Sequence, residues 1–245
     1  MKKIPSILPV LIVIVLAGCA EKKETFDAAA VFKTAEEDMQ RGAFEKARKG
    51  YQEIEEKSPD KSYDAALMLR VADTYYGEEK YDEALVEYQA FLNYHPVNKD
   101  AAYAQYQIAM CNFNQFTTID RDPNPNRTAL KEFQKLLQKY PKSIYEEDAS
   151  RKIAICIDRS AEYELYVALF YYKKGSYLAA IGRLEKLVKD YPGSSAEKDA
   201  LYYTGVSYAD RGDREQALNA FDTLVKKYPS MQRDVGPLMA KLRTR

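Results

Sequence analysis

Tryptophan is absent from the 245 residues, histidine occurs once (His95) and cysteine three times. So few Cys and His side chains leave no ligand set for an ordinary zinc centre. The motifs that carry chemistry are missing as well: there is no glycine-rich phosphate loop, no HExxH and no GxSxG. No catalytic residue, metal ligand or cofactor is therefore expected, and an enzyme is the least favoured class. Net charge is lacking too. Lysine plus arginine and aspartate plus glutamate tie at 37 each, so no strong field favours nucleic acid. Glycine and proline number only ten each against 21 tyrosines, and the charged, alanine-rich remainder reads as helical.

A membrane-spanning run is also wanting. The apolar stretch ILPVLIVIVLA, Ile7 to Ala17, has eleven residues, where a spanning helix takes about 20. Preceded by Lys2 and Lys3 and followed by small residues, it has the plan of a secretory signal peptide over residues 1–18. The junction Leu16-Ala17-Gly18-Cys19 matches the bacterial lipobox, in which the cysteine sulfur receives a diacylglyceryl group. Each buried acyl CH₂ contributes about 0.8 kcal/mol and stable anchoring takes more than one chain, so a multiply acylated Cys19 would hold the protein on a membrane. Residue 20 is Ala, not the Asp that often retains such proteins at the inner membrane, which points to the outer membrane. Residues 19–25 form a short charged tether.

What the chain does contain is a repeat. Five prolines, Pro59, Pro96, Pro141, Pro192 and Pro229, follow the phrases that include LLQKYPKS, LVKDYPGS and LVKKYPS. Twelve residues before each stands an alanine: Ala47, Ala84, Ala129, Ala180 and Ala217. Eight before stand Tyr51, Tyr88, Phe133, Leu184 and Phe221, and five before stand Ile54, Phe91, Leu136, Leu187 and Leu224. Offsets of four and three place all three side chains on one helical face, and the proline marks the helix end because it cannot continue it. Small residues 24 before the proline (Ala35, Ala72, Ala168, Gly205, with Ala109 after allowing for an insertion) let a second helix approach closely. Each unit is thus a helical hairpin, turning at Arg41-Gly42, Glu79-Lys80, Lys174-Gly175-Ser176 and Arg211-Gly212-Asp213. The pattern resembles the tetratricopeptide repeat, without that family's tryptophan. The fold class expected is all-α: a superhelical solenoid of about five such hairpins, since one hairpin cannot bury its apolar face alone.

Two intervals break the period. Pro96 to Pro141 spans 45 residues instead of 37, the surplus lying around FTTIDRDPNPN (116–126), a loop after which Asn126 is a candidate helix cap. Pro141 to Pro192 spans 51, and Tyr145 to Lys174, free of Pro and Gly, predicts one helix of about eight turns. That helix would join two halves, 26–141 (repeats 1–3) and 142–245 (repeats 4–5 and tail), with a basic closing helix over Val235 to Arg245. Cys111 and Cys156 read as two buried thiols in preference to a bridge, which the sequence does not settle. His95 reads as a solvated turn residue, and Glu36-Glu37 and Glu146-Glu147 as solvated faces.

Solenoids of this kind bind along the surface lined by the first helix of each hairpin. The resemblance to the tetratricopeptide family implies as inward-facing positions Phe32, Tyr76, Tyr103, Tyr106 and Phe113. They either form a groove for an extended, aromatic-bearing polypeptide or pack between hairpins; both readings stay open.

Lipobox and repeats together narrow the family. RDPNPNRTALKEFQKLLQKYPKSIYEEDASRKI (121–153) and FYYKKGSYLAAIGRLEKLVKDYP (170–192) resemble the BamD family, the lipoproteins of the outer-membrane β-barrel assembly (BAM) machinery. The tether is shorter and poorer in proline than is usual there, and the basic tail is distinct. The resemblance implies a non-enzymatic adaptor at the periplasmic face of the outer membrane. Its C-terminal half would dock on a periplasmic domain of the barrel protein BamA, beside other BAM lipoproteins, and its N-terminal half would receive unfolded β-barrel substrates. A family arginine at the BamA contact matches Arg183, whose alternative is an ordinary solvated helix charge. The competing class is another periplasmic repeat lipoprotein, serving cell division or pilus assembly.

Overall fold

The computed structural model describes residues 26–116, 118–119 and 121–244. The signal peptide, Cys19 and the tether lie outside the described residues. Within those residues the chain is helical and contains no strand. Ten helices pair into five antiparallel hairpins: α1 (Ala28–Gln40) with α2 (Phe44–Lys57), α3 (Asp64–Gly77) with α4 (Tyr81–Tyr94), α5 (Ala101–Asn114) with α6 (Asn124–Lys139), α7 (Glu146–Lys173) with α8 (Tyr177–Asp190), and α9 (Glu197–Arg211) with α10 (Arg214–Lys227). A closing helix, α11 (Gln232–Thr244), follows a short 3₁₀ turn. Helices pack chiefly on their neighbours in sequence, so the core is a row of linked clusters instead of one centre, as a solenoid requires.

The repeat positions build that row. All five alanines have 0% exposure, and the ten larger residues behind them are equally buried. Each second helix ends the same way. The N–H of Ser58, His95, Tyr140, Tyr191 and Tyr228 donates to the carbonyl of Ile54, Phe91, Leu136, Leu187 and Leu224 respectively, at 2.7–2.9 Å. The proline comes next because it has no N–H to offer a further turn. At the hairpin turns Gly42, Gly175 and Gly212 take φ of +73°, +75° and +97°. The second hairpin places Glu79 in that left-handed region, at +58°, where a Cβ is disfavoured.

The small positions work as expected, Gly205 most tightly: a Cβ built there would stand 2.5 Å from Cε1 of Phe221. The long helix is α7, 28 residues or about 42 Å at 1.5 Å per residue. Its first half buries Ala149 and Cys156 with Phe133 and Leu136, and its second half buries Ala161 and Ala168 with Leu184 and Leu187. One helix therefore serves two clusters, offsetting the later hairpins along its axis. Cys111 and Cys156 are unbridged and buried, and burial pushes their thiols up to about 12 and about 11.

Four expectations need correction. Asn126 is not a helix cap: α6 begins at Asn124, Asp122 Oδ1 accepts its backbone N–H at 3.0 Å, and the buried Asn126 amide donates to the Cys156 carbonyl and to Ser160 Oγ at 2.8 and 2.9 Å. A residue that looks like a local cap instead pins α6 to the middle of α7. His95 is half-buried, with its ring 5.5 Å from that of Phe91. Glu36 is half-buried and pairs with Arg70, whereas Glu37, Glu146 and Glu147 are exposed. The closing helix starts three residues before Val235, and Val235 and Met239 seal the last cluster against Phe221 and Leu224.

Candidate functional site

Phe32 lies on α1, Tyr76 on α3, and Tyr103, Tyr106 and Phe113 on α5, all half-buried. Tyr145, just before α7, gathers two of them: its ring stacks on Tyr106 at 4.7 Å and stands 6.1 Å from Tyr103. Tyr106 and Phe113 each reach Phe133 at 6.1 Å. Tyr76 meets Tyr81 edge-on at 5.5 Å and accepts from Asn114 Nδ2 at 2.8 Å. Phe32 stands apart, against Tyr51 of α2 and Tyr63 in the turn that follows it. The α5 trio is therefore contiguous, and the other two are not part of it.

The hydroxyls are already engaged. Tyr103 donates to Asp73 Oδ1 at 2.6 Å and accepts from Gln107, while Tyr106 donates to Asp148 at 2.7 Å. Burial, reinforced by these carboxylate acceptors, raises both phenols well above their ordinary value. The Tyr106 hydroxyl in turn helps hold Asp148 below the usual carboxylate range. What this surface offers a partner is ring edge and apolar area, with the polar ends satisfied from within.

Asp73 was not among the residues singled out, yet it organises the N-terminal half. Its Oδ1 accepts from the fully buried Tyr88 at 2.7 Å as well as from Tyr103, and Arg70 lies 3.2 Å from its Oδ2. Arg70 Nε reaches on to Glu36 at 2.8 Å, which also accepts the Tyr51 hydroxyl at 2.6 Å. A repeat-level signal for this existed. Where the core position holds tyrosine (Tyr51, Tyr88), the residue fifteen earlier is an acid (Glu36, Asp73); for Leu184 and Phe221 it is Leu169 and Val206, and for Phe133, once the eight-residue insertion is allowed for, it is Met110. A buried phenol demands an acceptor and a buried phenyl does not.

In the C-terminal half Arg183 Nη1 donates to Glu164 Oε2 at 2.7 Å, and Arg127 Nη2 lies 3.4 Å from Oε1. Glu164 is 9% exposed and Arg183 41%, so one sunken carboxylate ties α6, α7 and α8 while the guanidinium keeps part of its surface in water. Beside it, the Tyr171 ring lies 6.0 Å from the guanidinium and 5.7 Å from the exposed Phe170. Tyr166, one turn before Phe170 on α7, is also exposed. Apolar area next to a partly free cation is the make-up of a protein-binding patch. Among the described residues no group of three or more His, Cys, Asp or Glu is placed to hold a metal, and no helix is long and apolar enough to cross a membrane.

A helical-repeat solenoid with half-exposed aromatic and arginine surfaces is a binding scaffold by class. The YfiO family, described as "Outer membrane lipoprotein", matches residues 24–216, and the chain belongs to it. It is similar to the outer membrane protein assembly factor BamD of Caulobacter vibrioides, 29% identical with 86% of this chain and 72% of that protein covered. The BamD of Rickettsia prowazekii is 28% identical with 93% of both chains covered, and that of Neisseria meningitidis serogroup A 26% identical with 94% and 92% covered. Among solved structures, the TPR2AB-domain:pHSP90 complex of yeast Sti1 aligns with a TM-score of 0.44, 12% identity, and 82% and 78% of the chains covered.

Proposed function

We propose that the chain is an assembly factor of the outer-membrane β-barrel machinery, working by contact and without bond chemistry. The observation that carries this reading is the similarity to BamD proteins over most of the chain, joined to family membership. Acyl chains on Cys19 hold it to the periplasmic side of the outer membrane, and the stacked hairpins act as a stiff adaptor. The C-terminal half, 142–245, docks on the periplasmic domain of BamA through Arg183 and the apolar surface of Phe170 and Tyr166. The N-terminal half, 26–141, receives unfolded β-barrel chains on the edges of Phe32, Tyr76, Tyr103, Tyr106 and Phe113. Holding both on one scaffold raises the local concentration of substrate at the insertase.

Co-purification with a BamA periplasmic fragment tests the docking half. Phe170→Glu, on an exposed side chain, leaves the fold intact and should weaken capture at least tenfold, about 1.4 kcal/mol. Arg183→Gln should weaken it as well, and capture unchanged by both variants removes the assignment. For the substrate half, Tyr103→Ala with Phe113→Ala should lower binding of aromatic-bearing unfolded segments. Undiminished binding by that folded variant returns the rings to a purely packing role.

A further inference from the structure

Helix direction sorts the N-terminal half into two edges. First helices run one way and second helices return, so the start of α1 at Ala28, the turn 58–63, the turn 95–100 and the turn 140–145 all lie on the same edge. Two observations place the last two turns side by side. A surface cleft of about 330 Å³ is lined by Pro96 on one side and Lys139 and Tyr140 on the other, and the Tyr103 and Tyr145 rings approach at 6.1 Å.

This edge carries the three most exposed large apolar side chains among the described residues: Val97 at 96%, Ile144 at 88% and Tyr94 at 76%. Scattered single apolar residues are ordinary on a soluble surface, but the top three falling on two adjacent turns is not scatter. Charges around them are mixed: Lys99, Lys139 and Lys142 are exposed, and so are Asp60, Glu146 and Glu147. The edge is therefore not a polyanion site. Apolar tips set among mixed charges, with a tyrosine at the margin, match the boundary between headgroups and acyl chains.

What covers this edge follows from where the chain enters it. Phe26 and α1 begin there, and only residues 19–25 separate them from Cys19, a reach of at most about 25 Å for a fully extended chain. We propose that this edge of the N-terminal half rests on the lipid surface, with Tyr94, Val97 and Ile144 entering the headgroup–acyl boundary. The acyl anchor then supplies attachment and the edge supplies orientation, turning the aromatic surface of α5 at a defined angle to the membrane. This rests on the reading of Cys19 as the lipid anchor.

The lack of tryptophan makes the test direct. Tyr94→Trp introduces a single reporter at the edge, and Val86→Trp a single reporter on an exposed side chain two turns back along α4, about 12 Å away. The full acylated chain is reconstituted into phosphatidylcholine vesicles whose acyl chains carry bromine, a contact quencher. The Tyr94→Trp reporter should lose most of its emission and shift to the blue relative to unbrominated vesicles, whereas Val86→Trp should not change. Adding Val97→Asp and Ile144→Asp to Tyr94→Trp should restore the emission while the protein still floats with the vesicles. Flotation with an unquenched Tyr94→Trp overturns the edge contact and leaves the anchor standing. Failure to float overturns the anchor and the contact with it.

Discussion

Tyr88→Phe should cost stability in the parent chain and cost nothing once Asp73 is gone. Tyr88 has no solvent exposure, and its hydroxyl donates to Asp73 Oδ1 at 2.7 Å. Removing that hydroxyl deletes a bond to a carboxylate, worth about 1.5–3 kcal/mol. Asp73→Val removes the acceptor instead. Tyr103 keeps Gln107 and Arg70 keeps Glu36, but the Tyr88 hydroxyl loses its carboxylate acceptor, and a buried neutral hydroxyl short of an acceptor costs about 1–3 kcal/mol. In that background Tyr88→Phe takes away the stranded donor and returns about 1–2 kcal/mol. The double variant reproduces the apolar pairing of Val206 with Phe221 in the fifth unit. Urea unfolding followed by circular dichroism measures the cycle. If Tyr88→Phe costs the same in both backgrounds, within about 0.5 kcal/mol, the Asp73 node does not hold the second hairpin.

Gly205→Ala should destabilise by about 1–3 kcal/mol through overpacking, because its Cβ would sit 2.5 Å from Phe221. Adding Phe221→Leu, the arrangement that Ala168 and Leu184 already use, should recover part of that loss in the same urea assay. Glu79→Gly should raise stability by about 1 kcal/mol, read as a higher unfolding midpoint, since Glu79 holds φ at +58° where other turns use glycine. Acid unfolding should report Glu197. Its burial opposes ionisation, but Lys227 at 2.5 Å, the Tyr228 hydroxyl at 2.7 Å and the Gly193 N–H at 3.0 Å outweigh this and hold it below its ordinary 4.5. A depressed carboxylate stabilises the fold above its unfolded value and loses that contribution as pH falls through the folded one. Glu197→Gln should therefore flatten the stability profile below about pH 4.5, and a profile that stays as steep refutes the assignment.

The hairpins were legible because their signals are local. Alanine, a large apolar residue and proline at fixed offsets lie within one helix and its end, so the period of the α-helix alone places them on one face. The absence of helix breakers between Tyr145 and Lys174 likewise disclosed α7. Asn126 misled for the same reason in reverse. By local rules it caps, yet its partners are the Cys156 carbonyl and Ser160, thirty and more residues away.

Sequence alone determined the helical class, the register of five hairpins and the inserted loop, since each is written in neighbouring residues. Tertiary structure decided which tyrosine hydroxyls are satisfied, that Glu164 joins Arg183 to Arg127, and that Val97 and Ile144 share an exposed edge. Those facts depend on how far each hairpin is rotated and shifted against the next. That offset is the sum of many side-chain contacts between helices, and no single stretch of chain encodes it.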